Sequence, residues 1–340
     1  MIACQRKMLL KLAECIPLDN FRMYKESSRF LLAFSEYLSG SCTLTKLHIY
    51  GCCTDYSNRG FIALAQALST NCVLTHLDLG YNDIRDEIAV ALGKALESNT
   101  TLIYLNLTNY PRRRDPIGPS GASAHARALV KNSTLQCLDL ESNSIRDPGA
   151  QAFADALRTN SCLSHLDLCK NDIGDLGTEA ICRALQSSHV MTYLILGGNT
   201  IGDSGVEALA IVLKSPATQL ACLGLMKCKI TSLSAETLVG ALQTNRSLTH
   251  LNLEGSLCFC SATALVRALQ SSRTLTHLNL SKNYINDSEA VLLGETLRNQ
   301  NNTLTYLNLN KIGVTGKAKI ELVDQKRCYI NLARQWGLHL

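Results

Sequence analysis

The sequence has little of what marks membrane proteins, nucleic-acid binders or enzymes. No run of about 18 or more apolar residues occurs in its 340 residues, so no segment reads as a membrane-spanning helix. The N-terminal MIACQRKMLLKLAEC is too short and too interrupted in its apolar stretch for a secretory signal. Aromatic residues make up only 5% of the chain, with one Trp, and 33 Lys and Arg against 28 Asp and Glu leave a modest net charge of +5. A nucleic-acid binder clusters Lys and Arg with aromatics along one face. Here only residues 311–340 are locally basic, with Lys311, Lys317, Lys319, Lys326, Arg327 and Arg334 against Glu321 and Asp324, and they read as a solvated terminal face.

Catalytic motifs are missing as well. A phosphate-binding loop needs Gly-Lys followed by Ser or Thr, yet Gly93-Lys94 and Gly316-Lys317 are each followed by Ala. There is no HExxH, GxSxG or CxxC; Cys258 and Cys260 are a pair one residue apart. The expectation is a protein without enzymatic activity, cofactor or metal. The fifteen cysteines form no disulfide framework. Reduced, mostly buried thiols and a cytoplasmic location are expected, since free Cys packs as a small hydrophobe.

What the chain does have is repetition. The segments 74-LTHLDLGYNDI-84, 135-LQCLDLESNSI-145, 163-LSHLDLCKNDI-173, 248-LTHLNLEG-255 and 275-LTHLNLSKNYI-285 align on sight, and weaker copies begin at Leu44, Leu102, Met191, Leu220 and Leu304. Steps between the ten starts are 30, 28, 33, 28, 28, 29, 28, 27 and 29 residues. Between copies, stretches such as 149-GAQAFADALRTN-160 and 177-GTEAICRALQSS-188 carry apolar residues three or four apart, as an amphipathic helix requires. Strand, loop, helix and turn therefore alternate. Asn99, Asn132, Asn160, Asn245 and Asn301 each stand three residues before the next copy's first Leu, where a left-handed helix end is expected.

An LxxLxLxxN segment followed by a full helix in a unit of about 28 residues resembles a leucine-rich repeat protein of the ribonuclease-inhibitor type, as in NOD-like receptor repeat domains, over residues 40–312. The resemblance implies an α/β solenoid, a horseshoe with a parallel concave sheet and convex helices. Curvature would follow because helix axes need about 8–10 Å between them and strands about 4.8 Å. The expected organisation is an N-terminal helical cap or incomplete repeat over 1–43, ten repeats over 44–312, and a C-terminal capping helix over 313–340. In the first part, 28-SRFLLAFSEYLSGS-41 reads as the helix half of an incomplete repeat.

In such a unit the Leu side chains point inward, so strand alternation turns the third and fifth places outward. The third places read Lys46, His76, Tyr104, Cys137, His165, Tyr193, Cys222, His250, His277 and Tyr306. The fifth places read His48, Asp78, Asn106, Asp139, Asp167, Ile195, Gly224, Asn252, Asn279 and Asn308. Neighbouring His250 and His277 raise a metal reading, set aside because LTHL is repeat consensus and no tetrahedral set is completed. A protein-binding face fits better: acidic at Asp139, Glu141 and Asp167, apolar at Ile195 and Met226, with Tyr104, His165, Tyr193, His250 and His277 as contact residues. These ten are the candidate site, and its expected occupant is a protein partner on the concave face.

One step is long. In 109-NYPRRRDPIGPSG-121 the pair Ile117/Gly121 keeps the frame of Ile145/Gly149 and Ile173/Gly177, so Tyr110, Pro111, Arg112, Arg113 and Arg114 are surplus and must bulge from the strand-to-helix loop. Pro111 and Pro116 fix backbone angles on either side. The leading expectation is a protein-interaction scaffold, finer still the sensing or regulatory part of a NOD-like receptor system. The alternative is a GTPase-activating protein resembling the Ran GTPase activator. That family places its essential arginine in such a loop, which would make a small GTPase the partner and Arg112–Arg114 the working residues. That family's long acidic C-terminal tail is not matched by the basic end of this chain. A tropomodulin-like actin-regulating module is the third reading.

Overall fold

The structure, a computed structural model, describes residues 20–40, 43–52, 58–111, 115–257, 261–301, 303–314 and 329–331. The chain divides into two compact units, Met1–Asp172 and Ile173–Leu340. In the first, strands β1 (Asn20–Tyr24), β2 (Lys46–Tyr50), β3 (His76–Asp78), β4 (Tyr104–Asn106), β5 (Cys137–Asp139) and β6 (His165–Asp167) alternate with helices α1 (Ser28–Ser39), α2 (Arg59–Thr70), α3 (Asp86–Leu96), α4 (Pro119–Lys131) and α5 (Arg146–Leu157). Each strand pairs in parallel with the next.

The second unit holds α6 (Asp175–Leu185), α7 (Asp203–Lys214), α8 (Ser232–Thr244), α9 (Ser261–Ser271) and α10 (Asp287–Asn299), alternating with β7 (Tyr193–Ile195), β8 (Cys222–Gly224), β9 (His250–Asn252), β10 (His277–Asn279), β11 (Tyr306–Asn308) and β12 (Tyr329–Asn331). Its strands also pair in parallel and in chain order. Each unit is thus an α/β stack of strand–helix repeats, as the sequence periodicity requires.

The core is built from the leucines that define the repeat. Leu135, Leu138 and Leu140, with loop residue Ile145, are fully buried, as are Leu102, Leu105, Leu107 and Ile117 one repeat earlier. Each such side chain contributes about 1.5–3 kcal/mol on leaving water. The helix-start glycines follow from this packing. At Gly121, Gly149 and Gly205 an added Cβ would come within 2.7, 2.5 and 2.7 Å of Cγ2 of Ile117, Ile145 and Ile201, each four residues earlier. The isoleucine seals the loop against the helix start, and only Gly leaves it room.

The asparagines at the helix ends act by another route than expected. Asn132 and Asn245 have φ of −76° and −63° with extended ψ, and no Asn is among the described non-glycine residues of positive φ. These amides are buried connectors instead. Asn132 Nδ2 donates to the carbonyls of Leu96 and Asn99 in the preceding repeat, at 2.9 and 2.8 Å, while its Oδ1 accepts from Thr134 and Leu135 N–H at 3.0 and 2.8 Å. Asn71, Asn99, Asn160, Asn245 and Asn301 repeat the arrangement. A buried polar group must be paired, and one amide here serves two repeats.

Aspartates link helices in a similar way. Asp86 Oδ1 accepts from Gly118 and Gly121 N–H at 2.7 and 2.9 Å, and Asp175 Oδ1 from Gly202 and Gly205 N–H at 2.7 and 3.0 Å. The open N–H groups at a helix start are therefore capped by the first turn of the preceding helix.

Two strands lie outside the ten copies read from the sequence. In β1, Phe21 and Met23 register with Leu47 and Ile49. In β12, Tyr329-Ile330-Asn331 registers with Tyr306-Leu307-Asn308, so residues 329–331 are strand within the span expected to be a capping helix. The matched Tyr-apolar-Asn pattern is the reason. The rest of 315–340 and residues 1–19 lie outside the described residues.

Candidate functional site

Strand register settles which side chains share a surface. In the first unit His76, Tyr104, Cys137 and His165 stand side by side, as do Asp78, Asn106, Asp139 and Asp167. The second row has a structural duty. Asp139 Oδ1 accepts from Glu141 N–H at 2.9 Å, Asp167 Oδ1 from Cys169 N–H at 2.8 Å, and Asn106 Oδ1 from Thr108 N–H at 2.8 Å, closing an Asx turn as the chain leaves the strand. Asn252, Asn279 and Asn308 do the same in the second unit.

An amide closes this turn as well as a carboxylate does, so charge at Asp139 and Asp167 is surplus to it. That charge carries a cost. Burial, with repulsion from Glu141 and Asp78, raises Asp139 above the ordinary carboxylate range. Burial, then repulsion from Asp139, pushes Asp167 well above it. The same field, behind burial, raises the phenols of Tyr104 and Tyr81, while burial and both aspartates push the Cys137 thiol up to about 12. Glu141 is paired with Lys170. Tyr50 donates to Asp78, and His48 Nδ1 lies 3.4 Å from the same carboxyl.

The second unit presents a different face. Tyr193, Cys222, His250, His277 and Tyr306 form its third-place row. The imidazoles of His250 and His277 stack at 4.1 Å with planes 12° apart, and Tyr306 follows at 5.8 Å from His277. Burial lowers both histidines from the ordinary 6.5, His250 further through repulsion by His277, so the pair is neutral at pH 7. Their Nδ1 atoms lie 2.8 and 2.9 Å from Thr249 and Thr276 Oγ1. Each threonine hydroxyl donates to the carbonyl just ahead of the preceding strand, Ala221 O or Thr249 O, which leaves it to accept from Nδ1–H.

Beside this row the Asx turns stop. Ile195 and Gly224 occupy the fifth places of β7 and β8, and Gly197 and Met226 the seventh. A Cβ on Gly224 would lie 2.5 Å from Ile195 Cδ1, and one on Gly197 would lie 1.9 Å from Met226 Sδ. Each large side chain thus covers the glycine of the neighbouring strand. Together with Tyr193, Cys222, His250, Leu251, Asn252, His277 and Asn279, Ile195 and Met226 line a pocket of about 180 Å³ open on this face.

The ten expected site residues therefore fall into two groups. Tyr104, Asp139, Glu141, His165 and Asp167 share the strand face of the first unit, and Tyr193, Ile195, Met226, His250 and His277 line one pocket in the second. Cys222, Leu251, Asn252 and Asn279 belong to the same pocket. Their signal was their place in the register, one strand from His250 or His277. Among the described residues no three His, Cys, Asp or Glu side chains could hold a metal ion, and eight cysteines are present as thiols. Arg112, Arg113 and Arg114 lie outside the described residues. After them in the chain, Ile117 is fully buried, as its frame requires, and Asp115 pairs with Arg85 at 3.8 Å. No described helix is long and apolar enough to cross a membrane.

Comparison with known proteins agrees with this geometry. The family model "Leucine Rich repeat" matches residues 70–93, 131–154, 159–182, 187–210 and 271–292, so the chain contains leucine-rich repeats. The comparison with curated protein sequences returns no match. Among solved structures, the chain is similar to the Rad7–Elc1 complex of yeast at 17% identity, with 97% of this chain and 88% of that chain covered and a TM-score of 0.51. It is also similar to leiomodin-1 actin-binding site 2 at 21% identity, over 47% of this chain and 88% of that one, with a TM-score of 0.36. At these identities the likeness to the yeast complex is one of fold.

Proposed function

We propose that this stack of leucine-rich repeats is a non-enzymatic protein-interaction scaffold, and that it docks a partner protein on the exposed strand face, the concave face of the expected horseshoe. One observation carries the reading. In β7 and β8 of the second unit the Asx-turn residues give way to Ile195 and Gly224, and an open pocket walled by Tyr193, Ile195, Met226, His250 and His277 stands beside them. Interfaces draw most of their energy from a few buried aromatic or apolar anchors. The finer expectation, the sensing or regulatory part of a NOD-like receptor system, rests on the repeat type, and its cytoplasmic location on the cysteine pattern.

Affinity capture from the native source, followed by titration of the recovered partner, tests the reading. Tyr193→Ala with His277→Ala is expected to weaken binding by about 2 kcal/mol or more with an unchanged melting curve, because both side chains are half-exposed. Full affinity in that variant would place the docking surface elsewhere. The second reading, a small GTPase engaged through Arg112–Arg114, rests on the five surplus residues that the buried Ile117 frame leaves in this repeat, and is tested by replacing the three arginines with Ala and measuring stimulated GTP hydrolysis.

A further inference from the structure

The pocket of the second unit lies next to charge of one sign. The eighth place of each repeat follows the strand end, and here it holds Lys227, Lys282 and Lys311, all with left-handed backbone at φ of 57–58°. Between Lys227 and Lys282 the same place is Gly255, also left-handed at φ 58°. A Cβ there would stand 3.9 Å from Lys227 Cγ and 3.8 Å from Lys282 Cβ, so the two stems flank a notch with no side chain in it. Glu254 is the one carboxylate among the described third-, fifth-, seventh- and eighth-place residues of this unit, and it pairs with Lys282 at 2.6 Å. Three lysines against one glutamate leave that surface at +2 when its histidines are neutral.

The pocket itself is shaped for a ring. A dry cavity of about 150 Å³ lined by Leu, Ile and Phe holds benzene, and this one measures about 180 Å³. Its walls are flat or soft, made by the stacked imidazoles, the Met226 thioether and Ile195, and favour an aromatic guest. Met226 is followed directly by Lys227, which joins the apolar floor to the basic rim.

We propose that this pocket takes an aromatic side chain from a partner segment whose flanking residues are acidic, with the ring between Met226 and the His250–His277 stack and the carboxylates on Lys227, Lys282 and Lys311. The inference deepens the strand-face reading above and rests on it. Opposite charge across the contact selects the partner and speeds its encounter. A nucleic acid would also bring rings and negative charge, but three lysines partly spent on Glu254 are a thin basic footprint, and the walls offer few groups to read a base edge.

The test uses the full chain and fluorescently labelled, capped pentapeptides: Glu-Glu-Phe-Glu-Glu, its Ala-centred control Glu-Glu-Ala-Glu-Glu, and the basic control Lys-Lys-Phe-Lys-Lys. Fluorescence anisotropy is expected to show the first bound at least about 10-fold more tightly than either control, the size of one good anchor or charge contact. Lys227→Glu with Lys311→Glu, both at exposed positions, should abolish or reverse the preference between acidic and basic peptides without lowering the melting temperature. Equal binding of all three peptides, no binding of any, a preference unmoved by the charge reversal, or tighter binding of oligo-dT than of the acidic peptide would each overturn the proposal. If the peptides show no preference while the captured partner is still lost on Tyr193→Ala with His277→Ala, this inference fails and the strand-face reading stands.

Discussion

Ile195 fills the space that Gly224 leaves open on the next strand: its Cδ1 lies 2.5 Å, and its Cγ2 3.0 Å, from where a β-carbon of residue 224 would stand. The pair is in direct register and occupies a position where seven of the other eight repeats carry Asp or Asn, His48 being the exception. Gly224→Ala should therefore overpack the site and cost about 1–3 kcal/mol. Ile195→Val removes the Cδ1 at the closest contact, so the double variant should recover part of the loss in a denaturant-melt double-mutant cycle. Strict additivity would show that the two side chains do not meet.

The cap that Asp86 supplies to the following helix should be measurable by itself. Asp86→Ala leaves Gly118 and Gly121 N–H without their acceptor and is expected to lower stability by about 0.5–2 kcal/mol. Asp86→Asn keeps an oxygen in place and should lose less. Equal losses in urea melts of the two variants would mean the hydrogen bonds are not what matters.

Asp167 offers a substitution that should stabilise. Its carboxyl is held well above the ordinary range by burial and by Asp139, so protonation favours the folded state, and that contribution is lost as pH rises through the folded value. Asp167→Asn keeps an acceptor for Cys169 N–H, as Asn106 does for Thr108, and removes the charge. The variant should melt above the parent at pH 7.5, with the difference shrinking toward pH 4. A gain that grows on acidification would reverse the assigned direction.

His125 should have the opposite pH signature. It is fully buried in α4, its Nδ1–H donates to Gly121 O at 2.9 Å, and its Nε2 has no hydrogen-bond partner. Burial lowers it from the ordinary 6.5. Below that value the unfolded chain binds a proton that the folded chain refuses, so stability falls as pH drops from 6.5 toward the folded value. One such group contributes a slope of at most about 1.4 kcal/mol per pH unit. His125→Gln should flatten the dependence of stability on pH between 5 and 7 by up to that amount, whatever it does to stability at pH 7.5. An unchanged slope would mean that His125 titrates normally.

Repetition made most of the fold legible. A buried position that recurs every 28 or so residues is seen ten times, so the leucines, the loop isoleucines and the Ile/Gly frame could be placed before any coordinates. Repetition shows less where a copy departs from the rest, and nothing of which partner a recurring side chain reaches. Phe21 and Met23 in β1, and Ile330 in β12, are apolar and in register, yet β1 replaces the repeat's leucines and Arg327 stands where β12 should begin with one. The helix-end asparagines join repeats instead of bending the backbone, because a sequence shows an amide's position but not which carbonyls it reaches. Strand alternation alone makes the fifth-place residues a binding row. Their hydrogen bonds give most of them a turn to close, and Ile195 and Gly224, which have none, stand where the pocket opens.

The helix-end amides also bear on how the chain could change length. Asn71 and Asn99 reach equivalent carbonyls, those of Leu38 and Leu68, and receive equivalent N–H groups, those of Leu74 and Leu102. Excising residues 72–99 would bring Leu102 to the spacing from Asn71 that Leu74 has now, and would offer Asn132 the carbonyls of Leu68 and Asn71 in place of those of Leu96 and Asn99. No donor would be stranded. A cut that separates a helix-end amide from the three residues that follow it, or from the helix end before it, would strand these groups, so the hydrogen bonding favours shortening or lengthening by whole modules.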